Sequence, residues 1–160
     1  MGSRVKAVTS IYIDADACPV REEVYRVAGR LGVHVFVVSN GSRPIRPPGL
    51  PFVEMVMVGD AMDAADDWIV ERITAADICV TSDIPLASRC LAIGARVVPP
   101  NGRPFTEANI ASALAGREIA RHLRELGEGG RGPLPVTKAD RSRVLGALDA
   151  ALHAALRTSR

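Results

Sequence analysis

The residues of this chain best able to do chemistry are carboxylates in three short segments. Asp14 and Asp16 end the apolar run Ile11-Tyr12-Ile13, Asp63, Asp66 and Asp67 sit together further along, and Asp83 closes Thr81-Ser82-Asp83. Two acids at the end of one apolar run repel each other unless a cation or a proton separates them. That pair therefore predicts a divalent-metal site, to which the other acids would contribute. His34, His122 and His153 show no metal-ligand spacing with one another. Hard oxygen ligands without such partners suit Mg²⁺ or Mn²⁺ rather than zinc. An ion held this way lowers the pKa of a bound water and neutralises phosphate charge, which is phosphoryl chemistry.

For these carboxylates to meet, the chain must bring them to one edge. Val8 to Ile13 reads as a strand, and Pro19 with Glu22 and Glu23 opens a helix that Gly32 ends. Residues 33–38 and 52–58 read as strands separated by a Gly/Pro-rich loop over 40–51. A helix is expected over 63–75, a strand over 78–80, a helix from Asp83 to Gly94 and a short strand over 96–98. Thr106 caps a longer helix running to about residue 126. Strands alternating with helices predict a three-layer α/β/α fold with a central, mostly parallel sheet of about five strands. In such a sheet ligands bind beyond the carboxyl ends of the strands, where Asp14, Asp16 and Asp83 would lie.

Helical register sorts the middle group. At about 100° per residue, Asp66 falls within about 60° of Ile69 and Ile73, the apolar stripe, whereas Asp67 turns towards solvent. Asp63 is placed to cap the helix, to bind metal, or both. The expected catalytic set is Asp14, Asp16, Asp66 and Asp83, with Asp63 joining these four as a metal ligand. Ser39, Asn40, Thr81 and Ser82 at strand ends, and Arg43 on the Gly/Pro loop, are expected to hold a phosphate. Ordinary turn and capping chemistry is the competing explanation for each of them.

Composition narrows the class. The 160 residues suit one domain, with 48% hydrophobic and 24% charged residues. No apolar run reaches the ~20 residues of a bilayer span, and residues 1–4 lack a signal-peptide core. A cytoplasmic protein with no membrane partner is expected. The three cysteines are scattered and suit buried thiols. Net charge is +2, but Arg117, Arg121, Arg124, Arg131, Arg141 and Arg143 concentrate late in the chain, a stripe that could carry RNA. Residues 8–126 are expected to form the domain and 127–136 a Gly/Pro-rich linker. A final helix over 137–157 would pack on that domain or on a second subunit, making a homodimer.

Resemblance sharpens this reading. An acid ending the first strand, an acid on a following helix and Thr81-Ser82-Asp83-Ile84-Pro85-Leu86-Ala87 resemble metal-dependent PIN-like nucleases. Asp14-Ala15-Asp16 and Gly59-Asp60-Ala61-Met62-Asp63 also resemble motifs of haloacid-dehalogenase-like phosphatases. That chemistry needs a cation between its motifs, and no lysine lies between Lys6 and Lys138. Asp14-Ala15-Asp16-Ala17-Cys18-Pro19, Asp63-Ala64-Ala65-Asp66-Asp67-Trp68-Ile69 and Thr81-Ser82-Asp83-Ile84-Pro85-Leu86-Ala87, with Gly132-Pro133-Leu134-Pro135 leading to Asp140-Arg141-Ser142-Arg143, resemble the bacterial YaiI/YqxD family over about residues 11–148. The resemblance implies a single-domain, PIN-like α/β fold. The expected function is Mg²⁺- or Mn²⁺-dependent phosphodiester hydrolysis, with RNA as the substrate. A metal- or RNA-binding module without turnover is the alternative. No acid follows soon after Asp83, and Asn101 is the nearest polar residue to fill a fourth ligand position.

Overall fold

The computed structural model describes residues 8–41, 45–127 and 135–158. Five parallel strands form its single sheet: β1 (Ser10–Asp14), β2 (His34–Ser39), β3 (Val53–Met57), β4 (Ile78–Val80) and β5 (Arg96–Val98). Their spatial order is β3-β2-β1-β4-β5. The chain therefore winds outward from β1 through β2 to β3, then returns to the far side of β1 to place β4 and β5. A parallel sheet has a crevice at such a reversal, where the connections after two neighbouring strands leave towards opposite faces. Here that crevice lies between the carboxyl ends of β1 and β4.

Among the described residues, five helices cover the two faces: α1 (Arg21–Leu31), α2 (Ala64–Arg72), α3 (Ile84–Ile93), α4 (Glu107–Glu125) and α5 (Lys138–Thr158). Side chains alternate along β1, so Ile11 and Ile13 meet α1 and α5 while Tyr12 faces α2 and α3. Burial on both faces explains why β1, β2 and β4 read as near-continuous apolar runs.

Most expected elements appear within two residues of their predicted bounds. Two differences stand out. The helix expected over 63–75 stops at Arg72, because Thr74 and Asp77 form a hydrogen-bonded turn that leads into β4. Pro19 lies in a turn rather than at the first helical position, two residues before α1. The carboxylates of β1 instead enter a single 3-10 turn, Ala15–Ala17.

Helix α5 packs on its own domain. Its stripe Val144, Leu148 and Leu152 is fully buried against the core that α1 shares. Gly102 permits this docking: with φ of 76°, it comes so close to the α5 backbone that a Cβ would sit 2.6 Å from the Arg143 carbonyl carbon. Ion pairs from Arg141 to Glu23 and from Arg30 to Asp149 flank the contact. The apolar stripe that might have joined two subunits is thus used within one. Most of the expected linker over 127–136 lies outside the described residues.

Candidate metal centre

The carboxylate cluster is assembled from three elements. Asp14 is the last residue of β1, where the strand leaves the core, and it is 5% exposed. Asp83 is the N-cap of α3, and its Oδ1 accepts the Leu86 amide at 3.0 Å while Pro85 occupies the first turn. Asp66 projects from the first turn of α2. One oxygen from each of the three lies within 4.8 Å of the others. Among the described residues no ion pair reaches any of these three carboxylates.

Neighbouring groups fix this geometry. Thr81 is fully buried. Its hydroxyl donates to Asp14 Oδ2 at 2.8 Å and accepts the Asp83 amide at 2.9 Å. One side chain thereby ties the Asp14 carboxylate to the backbone that carries Asp83. Ser82 braces the crevice from the other side, donating through its amide and its hydroxyl to the Ala17 carbonyl, at 3.1 and 3.2 Å. Helix α2 is held by Trp68, which rests against Tyr12 and Phe36 at 6.1 and 5.8 Å between ring centroids. Arg72 covers the outer face of that indole. Trp68 therefore packs on the sheet.

Electrostatics mark the cluster as strained without a cation. Burial pushes the Asp14 carboxyl up to about 6, with Asp83 and Asp16 adding to the rise and the Thr81 hydrogen bond opposing it. Asp66 is pushed up to about 7 by burial and then by the charges of Asp83, Asp14 and Asp63. A divalent ion would reverse this penalty by favouring all three charged forms. Three hard oxygens around one point fit Mg²⁺ or Mn²⁺, with water completing the shell.

The remaining residues singled out by sequence fall around this trio. Asp16 is exposed and accepts the Asn40 amide at 3.4 Å. Asp63 occupies the N-cap position of α2 with φ of 66°, but its side chain makes no capping hydrogen bond. The capping role expected for it is therefore absent. Both acids line a cavity of about 260 Å³ with the trio, as do Asn40 and Asp60. Asp60 was legible only as part of Gly59-Asp60-Ala61-Met62-Asp63, and nothing in its spacing marked it as facing the other acids. Asp67 lies outside, exposed and paired with Arg89 at 3.0 Å.

Several expected phosphate contacts are placed otherwise. Thr81 cannot reach a substrate, because it is buried with its hydroxyl engaged on both sides. Ser39 is buried at the end of β2, and its backbone carbonyl accepts the Val58 amide. Ser82 lines a second cavity of about 590 Å³, which shares Asp16 and Ala17 with the first and also includes Arg21 and Asn101. Asn101 thus lies away from the trio, its Oδ1 accepting the Arg103 amide at 2.8 Å. Arg43 lies outside the described residues. Cys18, beside the acids, is buried with its thiol pushed up to about 12 by burial, so it is no nucleophile.

Residues 12–154 match the model of an uncharacterised bacterial family described as YaiI/YqxD. The chain belongs to the YaiI/YqxD family. A UPF0178 protein of Rhodospirillum centenum is 56% identical over 151 residues, covering 92% of this chain and 97% of that one. UPF0178 proteins of Paramagnetospirillum magneticum and Rhodopseudomonas palustris are 53% and 52% identical, over 94% and 92% of this chain and 98% and 92% of theirs. No solved structure matches. Every residue of the acidic cavity falls within the segment that the YaiI/YqxD family spans. Among the described residues, no helix is long and apolar enough to cross a membrane.

Proposed function

We propose that this YaiI/YqxD protein is a divalent-cation-dependent phosphodiesterase with a PIN-like fold, acting on RNA. The observation that carries this reading is the meeting of Asp14, Asp66 and Asp83, from three separate elements, at the reversal point of the sheet. Acids used only for capping or solubility have no reason to converge where each raises the cost of ionising the next. Mg²⁺ or Mn²⁺ at this point would neutralise a phosphodiester and supply a more acidic water.

The chain's own residues would do the rest. Asp14, held by the Thr81 hydroxyl, and Asp83, held by the Leu86 amide, would hold the cation rigidly. Asp66, brought in by α2, would add the third carboxylate to the cation's shell. Asp60 and Asp63 at the cavity rim can supply further oxygens, in place of the fourth ligand expected after Asp83. The second cavity continues from Asp16 past Arg21 and Asn101 and would receive the neighbouring nucleotide.

Of the late arginines, Arg121, Arg141 and Arg143 are engaged by Glu118, Glu23 and Asp140, which weakens the case for a long RNA-binding stripe. The strand ends near the cavity are therefore the favoured substrate path. Calorimetric titration of the metal-free protein with Mn²⁺, beside Asp14→Asn, tests the reading. Saturable binding that the variant loses, followed by Mn²⁺-dependent cleavage of single-stranded RNA, is the expected result. Binding without cleavage of RNA would leave a metal-binding module. Hydrolysis of a phosphomonoester alone would favour the phosphatase resemblance.

A further inference from the structure

Helix α4 leaves the domain half-covered. Ile110 is buried and Leu114 packs against the core beneath it. The opposite side carries Ala108, Ser112, Ala115, Ile119, Leu123 and Leu126, every one of them exposed. At about 100° per residue these six fall within roughly an 80° arc, a stripe ~27 Å long. Ile119 and Leu126 are 62% and 60% exposed. Ser112 is the one polar member, and a helical serine can return its hydroxyl to the carbonyl four residues earlier, which lets it sit in an apolar contact. Large apolar side chains in a row on an exposed helix mark an interaction surface.

The order of sizes along the stripe says what covers it. Its first half is all small residues and its second half all large ones. Turning a second copy end for end about residue 117 sets Ala108 against Leu126, Ser112 against Leu123 and Ala115 against Ile119. Each large side chain then meets a small one, and the gap between helices stays even. A parallel pairing would set small on small at one end and large on large at the other, leaving a wedge. Gly116 lies beside the centre of this arrangement, in the helix interior where glycine destabilises relative to alanine. Among the described residues of its own chain, a Cβ there would meet nothing within 4 Å. Close approach of a second helix at the two-fold axis gives that glycine a reason, because the spacing between packed helices depends on the side chains at their contact.

We infer that α4 pairs antiparallel with α4 of a second copy, making an isologous homodimer centred near Gly116. This places the subunit contact on α4, away from α5, and it does not depend on the metal reading.

Sedimentation equilibrium of the full chain across a concentration series tests it. The expected result is a species of twice 17.0 kDa, reduced to one chain by Leu123→Glu with an unchanged far-ultraviolet circular dichroism spectrum. Gly116→Leu should keep or raise the thermal midpoint of the monomer while abolishing the dimer, since only the partner would meet the added side chain. The register is read by oxidative cross-linking. Ser112→Cys combined with Leu123→Cys should link two chains, and Ser112→Cys alone should not. A wild type that stays at 17.0 kDa throughout overturns the inference, as does a dimer that survives both Leu123→Glu and Gly116→Leu. Efficient cross-linking of Ser112→Cys alone overturns the antiparallel register.

Discussion

Asp14 and Asp77 are the same residue type at the same depth, 5% and 3% exposed, at opposite ends of adjoining strands. Asp77 precedes β4 at the amino edge of the sheet. Its carboxylate accepts three hydrogen bonds, from the Ser10 amide at 2.9 Å, the Thr74 amide at 2.8 Å and the Thr74 hydroxyl at 2.9 Å. It ties the start of β1 to the turn before β4. Asp14, at the carboxyl edge, accepts one hydrogen bond from a side chain and faces two further acids. Burial alone thus does not separate a structural carboxylate from a functional one; the balance of donors to like charges does. Asp77 is paired by its own fold, while Asp14 is left for something the fold does not contain.

That contrast breaks most decisively if the two aspartates respond alike to substitution. Asp14→Asn keeps the shape and the Thr81 hydrogen bond but removes the charge. Its Mn²⁺ affinity should fall by more than the ~10–100-fold typical of losing an outer-shell partner, as read by calorimetry. Asp77→Ala should leave Mn²⁺ affinity unchanged and cost roughly 3 kcal/mol or more in denaturant unfolding, because two amides lose their acceptor. Metal binding lost in Asp77→Ala but kept in Asp14→Asn would reverse the assignment.

The pH dependence sharpens the comparison. Unfolded, both Asp14 and Asp66 would ionise near ~4. Folded and metal-free, they hold their protons up to about 6 and about 7. The native state therefore binds more protons than the unfolded state between these values, so stability falls as pH rises through the window. The fall should begin above ~4 and level off beyond about 7, with Asp14 contributing up to roughly 3 kcal/mol. In chelator, the wild type should lose thermal stability across that range and Asp14→Asn should lose less. Thr81→Val should lower Mn²⁺ affinity by about 10–100-fold, as a partner that orients a ligand. The smallest effect is expected for Asp67→Asn, which breaks only an exposed pair worth about 1 kcal/mol or less and should leave metal affinity unchanged. Equal loss of metal in Asp67→Asn and Asp66→Asn would contradict the α2 register.

Much of the frame was legible because its signals are local. The apolar runs around Ile11, Val35 and Ile78 announce strands buried on both faces. Gly32 and Gly94 end their helices at φ of 69° and 101°, and Thr106 forms a reciprocal cap with Asn109. Asp66 was separable from Asp67 by helical period alone. Less legible were roles that depend on a partner distant in sequence. Thr81 looks like a phosphate contact until Asp14, 67 residues earlier, is seen to accept its hydroxyl hydrogen bond. Asp63 looks like a cap until its backbone φ of 66° is known. Asp77 makes a local turn with Thr74, but its hold on the Ser10 amide, 67 residues away, leaves no trace in the spacing.

Residue types and spacing were enough to set the period of each element, the chemical hardness of the candidate ligands and the alternation that requires a parallel sheet. These follow from side chains over a few neighbouring residues. Packing in three dimensions settled the rest: which carboxylates share a point, which hydroxyl orients them, and that α5 folds onto its own domain while α4 keeps a largely apolar stripe outward. Those outcomes rest on the strand order β3-β2-β1-β4-β5. That order is set by the joint packing of both helical layers, and no local window of the chain records it.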